Sequence, residues 1–345
     1  MKSVPHLKKK NLIILGLLFL LLLSVLLSVM TGSVHLPLGL TGKILLSHLP
    51  FLHLEPTWTI AQATIVWQLR LPRVFLALLV GAMLSSAGVS FQGILRNPLA
   101  DPYILGISVG AALGAASSMI FFRHSYLGQF SIPLFSFLGG LLSLAFVLML
   151  SKQRGQHDRE TLILAGVVVQ SLIGAFLSFL IAVSGQQMQE IVFWMMGSLA
   201  NRSWSDVALL VPYFIIGILY LLLQERDLNV ISLGERAATH LGMNVEKKKV
   251  GILIIGSLLT SAAVSVVGII GFVGLIVPHL MRLVVGPDHR ILLPVSTLAG
   301  AIFLLWSDTL ARNLLNSQEI PIGVITAFVG APFFAYFLKR SLRRG

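Results

Sequence analysis

Residues 68–95 read QLRLPRVFLALLVGAMLSSAGVSFQGIL, two arginines followed by a charge-free run from Val74 to Leu95. A run of that length crosses the hydrocarbon core of a bilayer, about 30 Å thick, as a helix rising about 1.5 Å per residue. Its small residues, Gly81, Ser85, Ser86, Ala87 and Gly88, suit close approach to other helices, because in lipid helices associate by packing rather than by escape from water. Working outward from 72–92, comparable apolar runs fall at 11–31, 103–122, 132–150, 161–183, 206–223, 250–267, 269–285, 291–310 and 321–338. The expectation is an all-α integral membrane protein of about ten transmembrane helices, read as a single transmembrane domain over 1–345.

Composition agrees. Of 345 residues, 56% are hydrophobic and 11% charged, with a mean hydropathy of +0.90, so lipid must be the solvent. The absence of cysteine excludes disulfides, thiolate metal sites and cysteine nucleophiles. A net charge of +12 would suggest nucleic acid in a soluble protein, but here the positions of the charges explain it. With the N-terminus inside, the basic residues concentrate in inner segments, Lys2 and Lys8 to Lys10 at the start and Lys339, Arg340, Arg343 and Arg344 at the end. Of the 25 lysines and arginines, only Lys43, Arg70, Arg73, Arg123, Arg202 and Arg312 fall outside. That bias places both termini in the cytoplasm, and Trp58, Trp67, Trp194, Trp204 and Trp306 lie near the outer boundary, where indoles prefer to sit. The first run lacks a small-residue cleavage site and reads as a retained span. The outer segment from Gly32 to Gln68 reads as spanless.

SAGVSFQGIL at 86–95 and SAAVSVVGII at 261–270 match at a constant offset. Five spans lie between them, and an odd separation implies an inverted repeat, spans two to five against seven to ten, a device by which transporters build two access states; two similar small-residue faces arising independently is the other reading. Gly106, Gly110 and Gly114, and again Gly268, Gly271 and Gly274, recur at helical spacing, which favours packing within the chain over dimerisation. In Asn97 to Pro102, Asp101 can cap the next helix with Pro102 in its first position, and Pro321 within Ser317 to Gly323 opens the last span by the same logic.

The inner loop at 224–249 holds a helix too short to span. Ser232 and Glu235 form an S-x-x-E capping box, which predicts a helix start there. Leu233, Ala237 and Leu241 then share one face, and Gly242 supplies a left-handed stop. An apolar ridge of this kind fits a groove on a partner protein, or rests on lipid headgroups. No segment hydrolyses a nucleotide: GLTGKI at 39–44 lacks the spacing of a phosphate loop, so energy must come from elsewhere. Asp308, His279, Asp288 and His289 are ionisable groups in or near the membrane, but their spacing supports no ligand set, and structural roles are expected.

The strings QLRLPRVFLALLVGAMLSSAG at 68–88, NPLADPYILGISVGA at 97–111, LGERAATHLGM at 233–243, GFVGLIVPHLMRLVVGPDHRILLP at 271–294 and IPIGVITAFVGAPFF at 320–334 resemble the permease family for iron-siderophore, haem and cobalamin import. The resemblance, over roughly 60–340, implies a type II ABC importer permease in the bacterial cell membrane, not itself an enzyme. It implies work as a homodimer or with a homologous permease, a separate ATP-binding subunit that binds the nucleotide, and an extracytoplasmic binding lipoprotein that delivers a metal chelate. The permease itself would hold no cofactor and no metal.

It further implies that the helix at 233–241, with Ser232, Leu233, Gly234, Glu235, Arg236, Ala237, Ala238, Leu241 and Gly242, couples to the ATPase. Arg70, Arg73 and Arg312 would receive carboxylates of the binding protein; headgroup anchoring, or an i,i+4 pair of Arg312 with Asp308, are the alternatives. Spans five and ten would face the pathway, making Gln170, Ser171, Met188, Met195, Met196 and Thr326 its candidate lining, against plain packing. The expected cargo is an iron(III)-siderophore, with cobalamin or haem as alternatives. An ion-driven secondary transporter would need an intramembrane carboxylate relay, which the 13 acidic residues make poor material for.

Overall fold

The computed structural model describes residues 4–32, 34, 36–47, 56–122, 128–153, 155–315 and 318–342. Lys2, Arg123, Arg154, Ser317, Arg343 and Arg344 lie outside them. Every predicted span is a helix. In chain order these are α1 (Val4–Met30), a short outer α2 (Leu38–Leu46), α3 (Ile60–Thr64), α4 (Leu71–Ile94), α5 (Ile107–Phe121), α6 (Ser131–Ser151), α7 (Arg159–Val183), α8 (Met188–Met195), α9 (Trp204–Leu223), α10 (Glu225–Ser232), α11 (Glu235–His240), α12 (Val245–Val267), α13 (Val273–Val285), α14 (His289–Asn313) and α15 (Ile322–Leu342). Among the described residues seven helices are long and apolar enough to cross a membrane, while α5, α13 and α15 are shorter apolar helices.

The second span differs from its predicted start. Thr59 and Gln62 form a capping box, the Gln62 N–H donating to Thr59 Oγ1 and the Thr59 N–H to Gln62 Oε1, so the helix begins well before Pro72. It runs unbroken for 35 residues from Ile60 to Ile94, through a π-helical stretch at Ile65–Arg70. Pro72 cannot donate to the preceding turn, and a wider turn immediately upstream absorbs that loss. GLTGKI falls within helix α2, not in a phosphate-binding loop.

This long helix is the axis of the fold, packed on α9, α12, α13 and α14. Its central window is 83% buried, against 72% for α12 and 61% for α14, whereas α1 and α7 reach only 17%. Small residues make the centre possible. A side chain on Gly81 would overlap the Gly300 carbonyl, and one on Gly88 the Gly274 carbonyl, so α4 meets α13 and α14 backbone to backbone. The stripe at Gly110 and Gly114 lies against Gly139 and Phe135 of α6, within the chain as the spacing favoured. Buried hydroxyls link α4 to α14, Ser86 with Thr297 at 2.8 Å and Ser85 to the Ser296 carbonyl at 2.8 Å, and α1 to α14, Ser28 with Thr309 at 2.8 Å.

The turn before α5 follows the sequence reading, and Pro321 directly precedes α15. Asp101 Oδ1 accepts from the Tyr103 N–H at 2.8 Å, with Pro102 in the first position of a 3₁₀ turn. Asp288 caps α14, accepting from the Arg290 N–H, and Asn229 of α10 donates to its carboxylate at 2.8 Å. Between α6 and α7 a two-stranded hairpin, β1 (Lys152–Gln153) and β2 (Gln156–His157), was not foreseen.

Candidate functional site

At one end of the bundle three arginines from distant parts of the chain converge. Arg70, ending the π-helical stretch, is buried and donates to the carbonyls of Val29 at 2.7 Å and Met30 at 3.1 Å, and also to Val34. It thus closes the C-terminus of α1, where free carbonyls favour a cation. Arg73 grips the fully buried Asp308 of α14, Nε to Oδ1 at 3.0 Å and Nη2 to Oδ1 at 2.9 Å. Its other edge holds both oxygens of Glu319 at 2.9 Å. Arg312 Nε lies 3.1 Å from Asp308 Oδ2, one turn away, and Nη2 donates to Ser28 Oγ at 2.9 Å. The i,i+4 pair weighed from the sequence is therefore present, and Asp308 is shared between two guanidinium groups. Glu319, half exposed, is the acidic partner that the sequence reading missed; it lies beyond the last charged residue of α14, where spacing gives no signal.

At the opposite end α10 and α11 meet the start of α12. The predicted capping box is absent. Ser232 ends α10 and donates to the Asn229 carbonyl at 2.6 Å, while Gly234, with φ 127°, is the residue before α11. The Glu235 carboxylate is drawn instead to the buried Lys249 ammonium, Oε1 to Nζ 2.7 Å, and a charged donor outcompetes a backbone amide. The stop is as expected: Gly242 sits at φ 81°, its N–H bonds the Thr239 carbonyl at 2.9 Å and the Met243 N–H reaches the Ala238 carbonyl at 3.2 Å, a Schellman closure. Ala238 faces the protein. Leu233 and Leu241 stand 71% and 70% exposed, with Arg236 and Ala237 exposed between them. Beside this ridge runs a groove of about 1410 Å³, walled by α11 and by residues 156–161, with Arg96 and Glu246 also lining it.

The proposed pathway residues separate. Met195 and Met196, at the end of α8, line an apolar groove of about 620 Å³ together with Gly271, Phe272, Gly323 and Phe328. Gln170 is not among them: its Nε2 donates to the Ile104 carbonyl at 2.6 Å, holding α7 to the turn before α5. Ser171 is exposed on α7, bonded to Val167 of its own helix, and Met188 is half exposed at the start of α8. Thr326 is buried and donates to the Gly323 carbonyl at 3.1 Å. Phe272, which the sequence reading passed over, holds a left-handed φ of 71°, uncommon for a bulky residue; Gly330 makes room for its ring.

His279, Asp288, His289 and Asp308 form no common ligand set: among the described residues no group of three or more His, Cys, Asp or Glu is placed to hold a metal. Asp288 is pulled well below the usual carboxylate range by its hydrogen bonds from Arg290, as befits a helix cap.

Comparison with known proteins gives the same architecture a lineage. The family model described as the FecCD transport family matches residues 20–340. The uncharacterised ABC transporter permease protein YvrB of Bacillus subtilis (strain 168) is 44% identical over 343 residues, covering 96% of this chain and 94% of that protein. The cobalamin import system permease protein BtuC of Halobacterium salinarum is 45% identical over 275 residues, 80% of this chain and 73% of its own. Among solved structures, an inward-facing metal-chelate type ABC transporter superposes with a TM-score of 0.83 at 34% identity, covering 96% of this chain and 99% of its own. The bundle with its short cytoplasmic helix is a multi-pass membrane permease, and the chain belongs to the FecCD transport family.

Proposed function

We propose that this permease forms the pathway of a binding-protein-dependent ABC importer for an iron(III)-siderophore-type chelate. It works in a pair of permeases, driven by a separate ATP-binding subunit and supplied by an extracytoplasmic lipoprotein. The observation that carries the reading is α11: a six-residue helix flanked by Leu233 and Leu241, which stand largely exposed beside a groove open to solvent. An apolar ridge displayed in this way matches recognition of a helix by a hydrophobic groove, and nothing in the chain supplies hydrolysis itself. The weakly buried face of α7 and the groove at Met195 and Met196 suit a second permease across a shared path, whose methionines and small residues would let a bulky solute pass without tight capture.

Docking of the lipoprotein falls to the end of the bundle that carries Arg70, Arg73 and Arg312. Arg73 keeps one edge on the half-exposed Glu319, and an incoming carboxylate could take that place by the same bidentate geometry. Arg73→Glu is expected to weaken lipoprotein binding at least tenfold in surface plasmon resonance; an unchanged affinity would end the docking role.

The decisive experiment is reconstitution in proteoliposomes with the ATPase and lipoprotein encoded alongside. Uptake should require all three proteins and ATP; accumulation by the permease alone would overturn the proposal. Cargo is separated by titrating the lipoprotein with ferric siderophores, haem and cobalamin. The cobalamin alternative has support in the Halobacterium relative, which is named a cobalamin import system permease.

A further inference from the structure

Lys249 is one of the basic residues that the charge bias assigns to the inner side. In the structure its side chain is 1% exposed, near the start of α12. Its Nζ donates to the His157 carbonyl at 2.8 Å, lies 2.7 Å from Glu235 Oε1 and is 3.9 Å from Glu246 Oε2. Those contacts join three pieces of chain, β2, α11 and α12. His157 belongs to β2, two residues before α7, and its ring also bonds the Leu148 carbonyl of α6 at 3.0 Å and the Glu246 carboxylate. Glu235 is the first residue of α11, and Glu246 opens α12.

An ammonium out of water needs acceptors for all its protons and a counter-charge close by. Here the nearest counter-charge is carried by the one element that projects toward the proposed motor. If α11 moved alone, Glu235 would leave Lys249 with only the more distant Glu246, itself engaged by His157. The buried charge therefore penalises independent motion of α11, and the less costly displacement carries the hairpin with it.

We propose that Lys249 is a positioning residue that makes α11 and the 152–157 hairpin one mechanical unit, so that force applied to the short helix by an ATP-hydrolysing partner is delivered to α7. This deepens the coupling role given to α11 above and rests on it. The groove walls, α11 on one side and residues 156–161 on the other, are then held at fixed spacing by a single side chain.

The test uses the full transporter in proteoliposomes and reads substrate accumulated per ATP hydrolysed, normalised to assembled complex. Lys249→Met should lower that ratio about tenfold with assembly retained, Glu235→Gln should lower it several-fold, and Lys249→Arg, which keeps the charge and donors, should restore most of it. A wild-type ratio in both Lys249→Met and Glu235→Gln overturns the inference, as does a loss that only tracks loss of assembled complex. A separate arm checks the reading beneath it. The chain has no cysteine, so His240→Cys labelled with a maleimide benzophenone reports whether α11 touches the ATPase. Cross-linking with an unchanged ratio in the Lys249 variant removes this inference alone; no cross-link removes the coupling role of α11 and the inference with it.

Discussion

The acidic residues of this chain act where an isolated basic group would be costly. Asp308 is wholly buried between Arg73 and Arg312, so Asp308→Asn leaves two guanidinium groups facing each other with their shared counter-charge gone. Breaking a buried pair from one side costs about 3–5 kcal/mol, and thermal unfolding in detergent should show a loss of that order. Combining it with Arg73→Met should recover part of the loss, because the second change removes one stranded charge; strict additivity in the cycle would argue against the network.

Asp101 behaves differently. In the turn between α4 and α5 its carboxyl is pushed up to about 6 by burial, against the opposing hydrogen bond from the Tyr103 N–H. A carboxyl that holds its proton more tightly in the folded state than in the unfolded one contributes most below the unfolded value of 3.8. That contribution is lost as pH rises to about 6 and the deficit is constant above it. Stability should therefore fall between about pH 4 and 6 by at most about 3 kcal/mol, and Asp101→Asn, which keeps a capping oxygen, should flatten that part of the profile. A wild-type slope in the Asn variant would show that another group titrates.

At the scale of elements, α11 carries the sharpest expectation. Leu241→Asp replaces an exposed ridge residue, so membrane insertion should be retained and stability should stay within about 0.5 kcal/mol of wild type, while uptake is abolished; normal uptake would remove the ridge from the coupling step.

Spans, turns and the left-handed stop at Gly242 were legible because each rests on neighbours in sequence: a run without charge, a proline after an aspartate, a glycine after a helical face. The start of α11 was not. Ser232 and Glu235 have the right spacing for a reciprocal cap, but Glu235 is claimed by Lys249, which comes from another helix, and tertiary pairing overrode the local pattern. A signal for Lys249 did exist: Val245, Lys249, Ile252, Leu253 and Gly256 follow a helical period and all are buried, so a lysine on that stripe needed a buried partner. The three arginines meet at one end, yet their partners, Asp308 excepted, are backbone carbonyls, hydroxyls and a loop glutamate that no spacing rule identifies. The pathway residues were the least legible, since whether Gln170 or Thr326 turns inward or outward on a helix apolar all round depends on neighbours rather than on periodicity.

For the molecule as a whole, burial is concentrated in α4, α12 and α14, with α1 and α7 at the margin. The central helix also outruns its surroundings. At about 1.5 Å per residue, the 35 residues from Ile60 to Ile94 measure roughly 52 Å, well beyond the roughly 30 Å of acyl chain it must cross. The excess has to stand as a mast in the aqueous phase, its foot wedged among glycines and its tip overhanging the lipid. In the cysteine-free background a membrane-impermeant maleimide should label Ala61→Cys from the extracellular side of intact cells and leave Met83→Cys, buried on the same helix, untouched. Equal protection of both would mean that the shaft lies tilted within the bilayer, and that whatever lands on this protein from outside meets a flat deck.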